Sequence, residues 1–537
     1  MFRTRPPASA SSLLATAAAL AGVIGVASAL TPELADRFDL VRGVLPPGVP
    51  ETARVLALAF GLGLIWLSRS LARRKRRAWQ LAVALVAASA VAHLAKGLDF
   101  EEALFSVAVL VALWRYRRQF DAAGDPTSVR PLLQAVLALS GVGLLAYLRV
   151  WASTGNLGDV VDDSLAVIAG ALAVRALYLW LRPMAGRGRQ TPAERAHAER
   201  VVEESGHDSL CYFALRRDKS YFFSPSGRSF LAYRVVSGTA LVSGDPIGEA
   251  AELDDLLAEF RRVAQARAWR VAVVGASEEL LPLYRRAGLR PVYLGDEAVV
   301  DPATFSLDGR AIRKVRQSVN RLERAGYRVS VVQASAADRD LRDELQSVSA
   351  EWRGRWPERG FAMAMDGLFD HGESRLIVAE ASDGSVGGFI QLVPSPASGA
   401  WSLATMRRRP GTPNGLMEFL LVKTVEWARE EGVPELSLNF AVFAEILRAG
   451  AGAPIHRRLL RKVLLRLDRF FQLDRLLSFS DKFFPTWRPR YICVERLSDF
   501  PLVGFAFLHA ESLLTLPGPW ARSSAPANQF MESASER

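Results

Sequence analysis

The sequence predicts an α-helical multi-pass membrane domain followed by an α/β or α+β part. Three observations carry that reading. Half of the 537 residues are hydrophobic and the mean hydropathy is +0.12, high for a soluble enzyme. The apolar content is concentrated in the first third, in six segments before residue 185. Beyond residue 200, short β-like runs alternate with amphipathic helical stretches, in two consecutive sets of comparable size. A chain of this length is expected to hold two or three domains.

The six apolar segments fall at roughly 12–30, 52–71, 79–95, 100–114, 132–151 and 163–181. Most have about the length needed to cross a ~30 Å hydrocarbon layer. The fourth is short and begins at Glu101 and Glu102, which suits a re-entrant segment as well as a span. The first follows Arg3 and Arg5 without a convincing cleavage site, so it reads as an anchor rather than a removed signal peptide. Basic loops follow segments two (Arg73 to Arg77), four (Arg115, Arg117, Arg118, Arg130) and six (Arg182, Arg187, Arg189). The alternate loops carry acids: Glu33 and Asp36, then Asp99, Glu101 and Glu102, then Asp159, Asp162 and Asp163. By the positive-inside rule both termini, and everything after residue 200, are expected on the cytoplasmic side of the plasma membrane.

The formal net charge of +11 favours acidic partners such as anionic lipid headgroups or nucleic acid. Two cysteines, Cys211 and Cys493, make neither a zinc spacing nor a disulfide framework. Residues 183–200 are polar and Gly-, Arg- and Ala-rich, a linker into the second part. The first α/β set comprises strands at Leu210–Leu215, Ser229–Val236, Thr239–Ser243, Arg270–Gly275 and Val292–Leu294, with helices at Ala251–Ala268 and Glu278–Ala287. The second comprises a strand at Tyr327–Gln333, a helix at Ala337–Trp352, and strands at Ser374–Ala381, Val386–Pro394 and Gly399–Met406.

A strand, turn, helix, strand unit closes that second set. Its first strand ends in three arginines, Arg407 to Arg409, and a turn rich in Pro, Gly and Asn follows. A helix runs from about Leu416 to Glu430, and a strand from Glu435 to Phe440. Arg407, Asn414, Glu418 and Asn439 therefore lie near strand ends and a helix N-terminus, where α/β proteins commonly place ligands. A solvated rim of arginines fits the same pattern.

This unit, with K-S-Y-F-F-S at Lys219–Ser224, G-D-P-I-G at Gly244–Gly248 and D-K-F-F-P-T-W-R-P-R-Y at Asp481–Tyr491, resembles the C-terminal domain of the aminoacyl-phosphatidylglycerol synthases. These are the lysylphosphatidylglycerol synthetases, or multiple peptide resistance factors. The resemblance spans roughly residues 200–500 and implies a tandem GNAT-like acyltransferase fold. On that basis residues 1–182 form the transmembrane domain, 201–325 a first subdomain, 326–505 a second carrying the active site, and 506–537 a tail.

The reaction implied by the resemblance moves an aminoacyl group, lysyl in the namesake enzymes, from the tRNA 3′ ester to a hydroxyl of membrane phosphatidylglycerol. One ester becomes another, so no cofactor and no metal is expected. The protein must position both substrates, remove a proton and stabilise an oxyanion. Arg407 matches the arginine of the family's D-L-M-R motif and reads as an electrostatic clamp. Glu418 matches an acid that holds the α-amino group or acts as a base, although an acid in a first helical turn also stabilises the helix dipole. Asn414 and Asn439 read as substrate-orienting groups, with local backbone capping as the plainer role for Asn439. Lys482, Arg488 and Arg490 read as phosphate or tRNA contacts. Two departures stand out: Ala404 replaces the aspartate of D-L-M-R, and Ser480 replaces a lysine of F-K-x-K-F.

Two basic stretches extend the list. On a helix from about Arg310 to Ala325, Arg310, Arg313, Lys314 and Arg321 share one face, a candidate surface for a tRNA acceptor stem. Ile455–Leu477 has apolar residues at helical spacing with Arg458, Arg461 and Lys462 between them, as in a helix lying on an anionic membrane. Both patterns also occur on ordinary solvated or core-packed helices. The turn Arg408–Pro413 departs from the pyrophosphate loop of acyl-CoA transferases, because proline supplies no N–H. Self-association is open. The competing functions are a transferase with another acceptor or an acyl-CoA donor, and a catalytically degenerate lipid-binding scaffold.

Overall fold

The computed structural model describes residues 10–31, 49–97, 99–122, 132–135, 137–138, 140–142, 158–181, 190–354, 360–442 and 473–514. Contacts divide the chain into two units, essentially residues 1–185 and 186–537, with 262–269 grouped with the first.

The first unit is helical: α1 (Ala10–Leu30), α2 (Val49–Leu71), α3 (Arg76–Gly97), α4 (Phe100–Arg115) and α5 (Gly158–Leu181). Three stretches among the described residues are long and apolar enough to cross a membrane: Ala10–Leu30, Thr52–Leu71 and Arg76–Ala95. Helix α4 has 16 residues, about 24 Å at 1.5 Å per residue, which is short of the hydrocarbon thickness and fits the re-entrant alternative for the fourth segment. Helix α5 has 24 residues, and the fifth segment lies partly outside the described residues. Helices α1 and α2 meet through small residues: a Cβ on Gly22 would lie 2.5 Å from the Gly61 carbonyl oxygen. That backbone-to-backbone approach is how helices pack where water supplies no driving force.

The second unit begins with α6 (Pro192–Ser205), started by a capping box in which Thr191 and Glu194 satisfy each other's backbone N–H groups. Its strands are β1 (Ser220–Phe223), β2 (Ser229–Val236), β3 (Thr239–Ser243), β4 (Ile247–Gly248), β5 (Arg270–Ser277), β6 (Arg290–Val300), β7 (Arg328–Gln333), β8 (Arg375–Glu380), β9 (Val386–Ser395), β10 (Ala400–Arg408), β11 (Leu436–Val442) and β12 (Thr486–Val494). Helices α7 (Leu253–Ala266), α8 (Leu281–Arg286), α9 (Arg313–Arg324), α10 (Arg339–Arg353), α11 (Leu416–Glu430), α12 (Leu473–Ser480) and α13 (Phe500–Ala510) are interspersed.

All twelve strands form one sheet, in the order β1-β2-β3-β5-β12-β6-β11-β10-β9-β8-β7, with β4 beside β2. The two sets expected from the sequence are therefore continuous, and the last strand, β12, inserts between β5 and β6 of the first set. Pro489 is tolerated there because it precedes the first rung with β5, where β12 has a neighbour on one side only.

Helices cover both faces. Leu403, Ile390 and Leu392 point to one face and pack under α9 and α11 through Val315, Val319, Phe419 and Leu420. Phe389, on the opposite face, packs with Leu345 and Val348 of α10. Residues 210–215, expected as a strand, instead form a buried 3₁₀ turn over Cys211–Leu215. Asp208 accepts from the Leu210 N–H at 2.9 Å and turns the chain there, so an all-apolar run lacking alternation is not evidence of a strand. Strand β6 runs eleven residues, well past the three expected.

Candidate functional site

The strand–helix–strand unit forms as the sequence predicts: β10 and β11 are parallel, and α11 joins them. Their ladder is short. Trp401 pairs with Leu436 and Ser402 with Ser437, and the pairing ends there although both strands continue. Each strand is irregular just beyond that rung. Strand β10 shifts register against β9 between Leu403 and Thr405, which makes Ala404 the bulged residue, and β11 shifts against β6 between Ser437 and Phe440. Two neighbouring parallel strands thus part at the middle of the sheet, leaving an opening toward their C-terminal ends.

Asn439 sits at this opening with φ of +73°, a left-handed conformation that asparagine tolerates better than most residues. Its side-chain amide donates to the Leu403 carbonyl (3.1 Å) and to the Met363 carbonyl (2.6 Å). Asn439 thus caps backbone, but backbone remote in sequence, 36 and 76 positions away, rather than its own turn.

The remaining expected residues divide between the two faces. Arg407 pairs with Phe389 across β10 and β9, so its side chain takes the α10 face, where it donates to the buried Ser349 hydroxyl. Glu418 lies in the first turn of α11, on the other face, and accepts from Lys482 Nζ at 2.8 Å. That contact joins two residues 64 positions apart, both singled out by sequence. Arg407 and Glu418 lie near the same end of β10, on opposite faces of the sheet.

On the α11 side, the Arg321 guanidinium donates to the Asn414 carbonyl at 3.2 Å. Arg310, Arg313, Lys314 and Arg321 are all exposed; the last three lie on the face of α9 opposite its core residues Val315, Val319 and Leu322, whereas Arg310 precedes the helix, which starts at Arg313 rather than Arg310. Gly415, at φ +94°, brings the two helices together, since a Cβ there would lie 2.5 Å from Ser318 Oγ. Arg488 forms a two-pronged pair with Glu435 at 2.8 and 2.5 Å on the surface. Arg458, Arg461 and Lys462 lie outside the described residues.

Arg490 requires correction. It is 4 % exposed, and its guanidinium is committed inside the protein. Nε and Nη2 donate to Glu297 Oε2 (2.9 and 2.6 Å), Nη2 also donates to Ser209 Oγ (2.8 Å), and Nη1 lies 2.8 Å from Asp208 Oδ2. A side chain so enclosed does not reach an incoming phosphate, and its place in a central strand is the reason. Burial works to raise the Glu297 carboxyl, but the Arg490 charge and the hydroxyls of Ser209 and Ser437 outweigh it and hold the group below its ordinary range. Burial pushes Asp208 up to about 6, against the pull of Arg490.

A second buried cation escaped the sequence reading as chemistry, although its motif was noted. Lys219 is fully buried; Nζ donates to the Phe213 carbonyl and the Ser243 hydroxyl, both at 2.5 Å, and lies 5.0 Å from the Phe361 ring centre. Burial lowers it to about 7. Its only advance signal was a lysine flanked by aromatic residues at the start of a strand.

The family model of the phosphatidylglycerol lysyltransferase C-terminal domain matches residues 199–494. A lysylphosphatidylglycerol biosynthesis bifunctional protein LysX from Rhodococcus jostii is 36 % identical over 385 residues, 71 % of this chain and 34 % of that protein. The LysX of Nocardia farcinica is 34 % identical over 89 % of this chain and 45 % of its own length. The chain thus spans less than half the length of these curated relatives. Among solved structures, L-PGS from Bacillus licheniformis superposes with a TM-score of 0.54 at 26 % identity, covering 60 % of this chain and 97 % of that one. The C-terminal domain of a putative lysylphosphatidylglycerol synthetase from Agrobacterium fabrum gives 0.51 at 27 % identity, covering 60 % and 98 %.

Proposed function

The chain belongs to the phosphatidylglycerol lysyltransferase family, and from that premise we propose that it transfers a lysyl group from aminoacyl-tRNA to membrane phosphatidylglycerol. The observation that carries this reading is the opening between β10 and β11, with Arg407 at its rim and the first turn of α11 at the same end. Transfer between two esters needs no redox step. Attack of the glycerol hydroxyl oxygen on the aminoacyl carbonyl forms the new ester, and the tRNA 3′ oxygen leaves with the proton. Arg407 stabilises the developing oxyanion or the lipid phosphate from one face of the sheet. Glu418, held by Lys482, has two coherent roles from the other: taking the hydroxyl proton or facing the aminoacyl ammonium. The exposed basic face of α9 suits the phosphates of an acceptor stem.

On this reading the chain is a multi-pass plasma-membrane protein of about six spans, an even number that keeps both termini and the α/β unit cytoplasmic; the three long apolar helices support membrane residence. Each lysyl headgroup then lowers the negative surface potential and weakens binding of cationic peptides. Tandem GNAT-like subdomains at 201–325 and 326–505 remain the proposed division of the catalytic part.

The test is lipid analysis of cells overexpressing the protein in a phosphatidylglycerol-rich host, with Arg407→Ala as control. A new amine-bearing phosphatidylglycerol, absent in the variant, is expected, and its mass names the amino acid. Membranes assayed with charged tRNA, before and after ribonuclease, test the donor. Glu418→Gln separates its two roles: loss in kcat marks a base, and a rise in KM for the charged tRNA marks ammonium binding. No new lipid from well-expressed protein moves the assignment to another acceptor or to a scaffold.

A further inference from the structure

The opening between β10 and β11 begins one residue beyond the Ser402–Ser437 rung, and that rung is held from both sides by groups remote in sequence. The Ser437 hydroxyl donates to Glu297 Oε1 at 2.5 Å and accepts from the Asn439 N–H at 3.2 Å. The other oxygen of Glu297 is gripped by Arg490. The Ser402 hydroxyl donates to the Ser209 carbonyl at 2.8 Å, and Ser209 Oγ accepts from the same guanidinium. Glu297, Ser402, Ser437 and Arg490 are all buried.

Parting two parallel strands deprives their backbone of ladder partners, and buried backbone groups left unpaired are costly. Here the substitutes can be named. The Leu403 carbonyl receives the Asn439 side-chain amide, and the Asn439 N–H finds the Ser437 hydroxyl. Glu297 fixes the rotation of the Ser437 hydroxyl by taking its single proton, and that orientation turns a lone pair toward the Asn439 N–H. Glu297 is held charged, and so an acceptor, by Arg490. The chain of dependence runs from a buried ion pair, through one hydroxyl, to the residue at the mouth of the opening.

We propose that the Glu297–Arg490 ion pair, acting through Ser437, is a positioning device that sets Asn439 and keeps β10 and β11 parted where substrate enters. This inference rests on the transferase reading for its catalytic consequence, but the geometry it asserts is independent of that reading. Glu297, Ser437 and Arg490 touch no substrate; they act through Asn439 and the strand ends.

The experiment uses the full-length protein in phosphatidylglycerol vesicles, as wild type, Ser437→Ala, Ser437→Thr and Glu297→Gln. Hydrogen exchange is followed by mass spectrometry over peptides spanning 401–408 and 436–442, beside turnover with lysyl-tRNA. Ser437→Ala and Glu297→Gln are expected to speed exchange in those two stretches by about tenfold, with β2 and β3 unchanged. Turnover in Ser437→Ala is expected to fall roughly tenfold in kcat with KM for the lipid changed by less than about threefold, and Ser437→Thr, which keeps the hydroxyl, stays near wild type. Wild-type exchange in Ser437→Ala overturns the proposal, as does equal impairment of the Ala and Thr variants. Loosening spread over the whole sheet also overturns it, by marking a general structural role. A wild-type protein without lipid turnover sinks the transferase reading alone, since the exchange measurements still decide the positioning claim.

Discussion

Replacing Lys219 by methionine is the perturbation whose consequence the structure specifies most closely. The ammonium is buried with only the Phe213 carbonyl, the Ser243 hydroxyl and the Phe361 ring around it, while Asp218, Arg216, Asp366 and Glu511 act on it as neighbouring charges. Its pKa is lowered from 10.5 to about 7, burial being the largest cause. A base depressed on folding is protonated in the unfolded chain and neutral in the folded one between those values, so the unfolded state binds the extra proton. Stability therefore rises with pH across that window, by about 1.4 kcal/mol per unit. The buried thiols Cys211 and Cys493 are pushed from 9.0 up to about 12, and they oppose the trend once unfolded thiols begin to ionise. The clean interval is thus pH 7 to 8.5, where Lys219 contributes a gain of roughly 2 kcal/mol. Opening free energies from hydrogen exchange in β2 and β3, corrected for intrinsic rates, measure it. The wild type should steepen with pH and Lys219→Met should lie flat. Equal slopes in the two proteins would refute the assignment of a depressed, buried lysine.

Two further outcomes follow from the site. Arg490→Met leaves Glu297 and Asp208 without their cation and should cost about 3–5 kcal/mol in denaturant unfolding, with partial recovery on adding Glu297→Gln; a stability-neutral Arg490→Met contradicts the enclosed ion pair. Gly415→Ala forces a side chain into a φ of +94° and against Ser318, and should destabilise by about 1–3 kcal/mol; an unchanged melting temperature would mean that α9 and α11 are not in this close contact.

Much of the fold was legible in the chain because local patterns dictate it. The α11 helix, Leu416–Glu430, follows from apolar spacing, a Gly-Asn-Pro turn before it and a strand on each side. Strands β2 and β3, short runs rich in apolar and β-branched residues, were equally readable. The 3₁₀ turn at Cys211–Leu215 was not, since six apolar residues in a row satisfy a strand and a buried turn alike. Of the six apolar segments, three are long apolar helices among the described residues, and the fourth is a helix of 16 residues, since hydropathy marks an apolar stretch without fixing the length of its helix.

The site divides along the same line. Residue type and family motif selected Arg407, Glu418, Asn439 and Lys482, and local pattern put the first three near strand ends or a helix start. Pairing was another matter. That Lys482 meets Glu418 and that Arg490 is enclosed with Glu297 follow from β12 inserting between β5 and β6, and that Arg407 turns to the opposite face follows from the register of β10 on β9. Strand order joins residues across nearly 200 positions, as in the Arg490–Glu297 pair, and no periodicity within one segment encodes which strand will lie beside it. Local pattern and motif were enough for most of the elements, for the family and for the identity of the charged groups. Only the tertiary structure decided which charges face solvent and which neutralise one another, because burial belongs to neighbours brought together by the whole sheet.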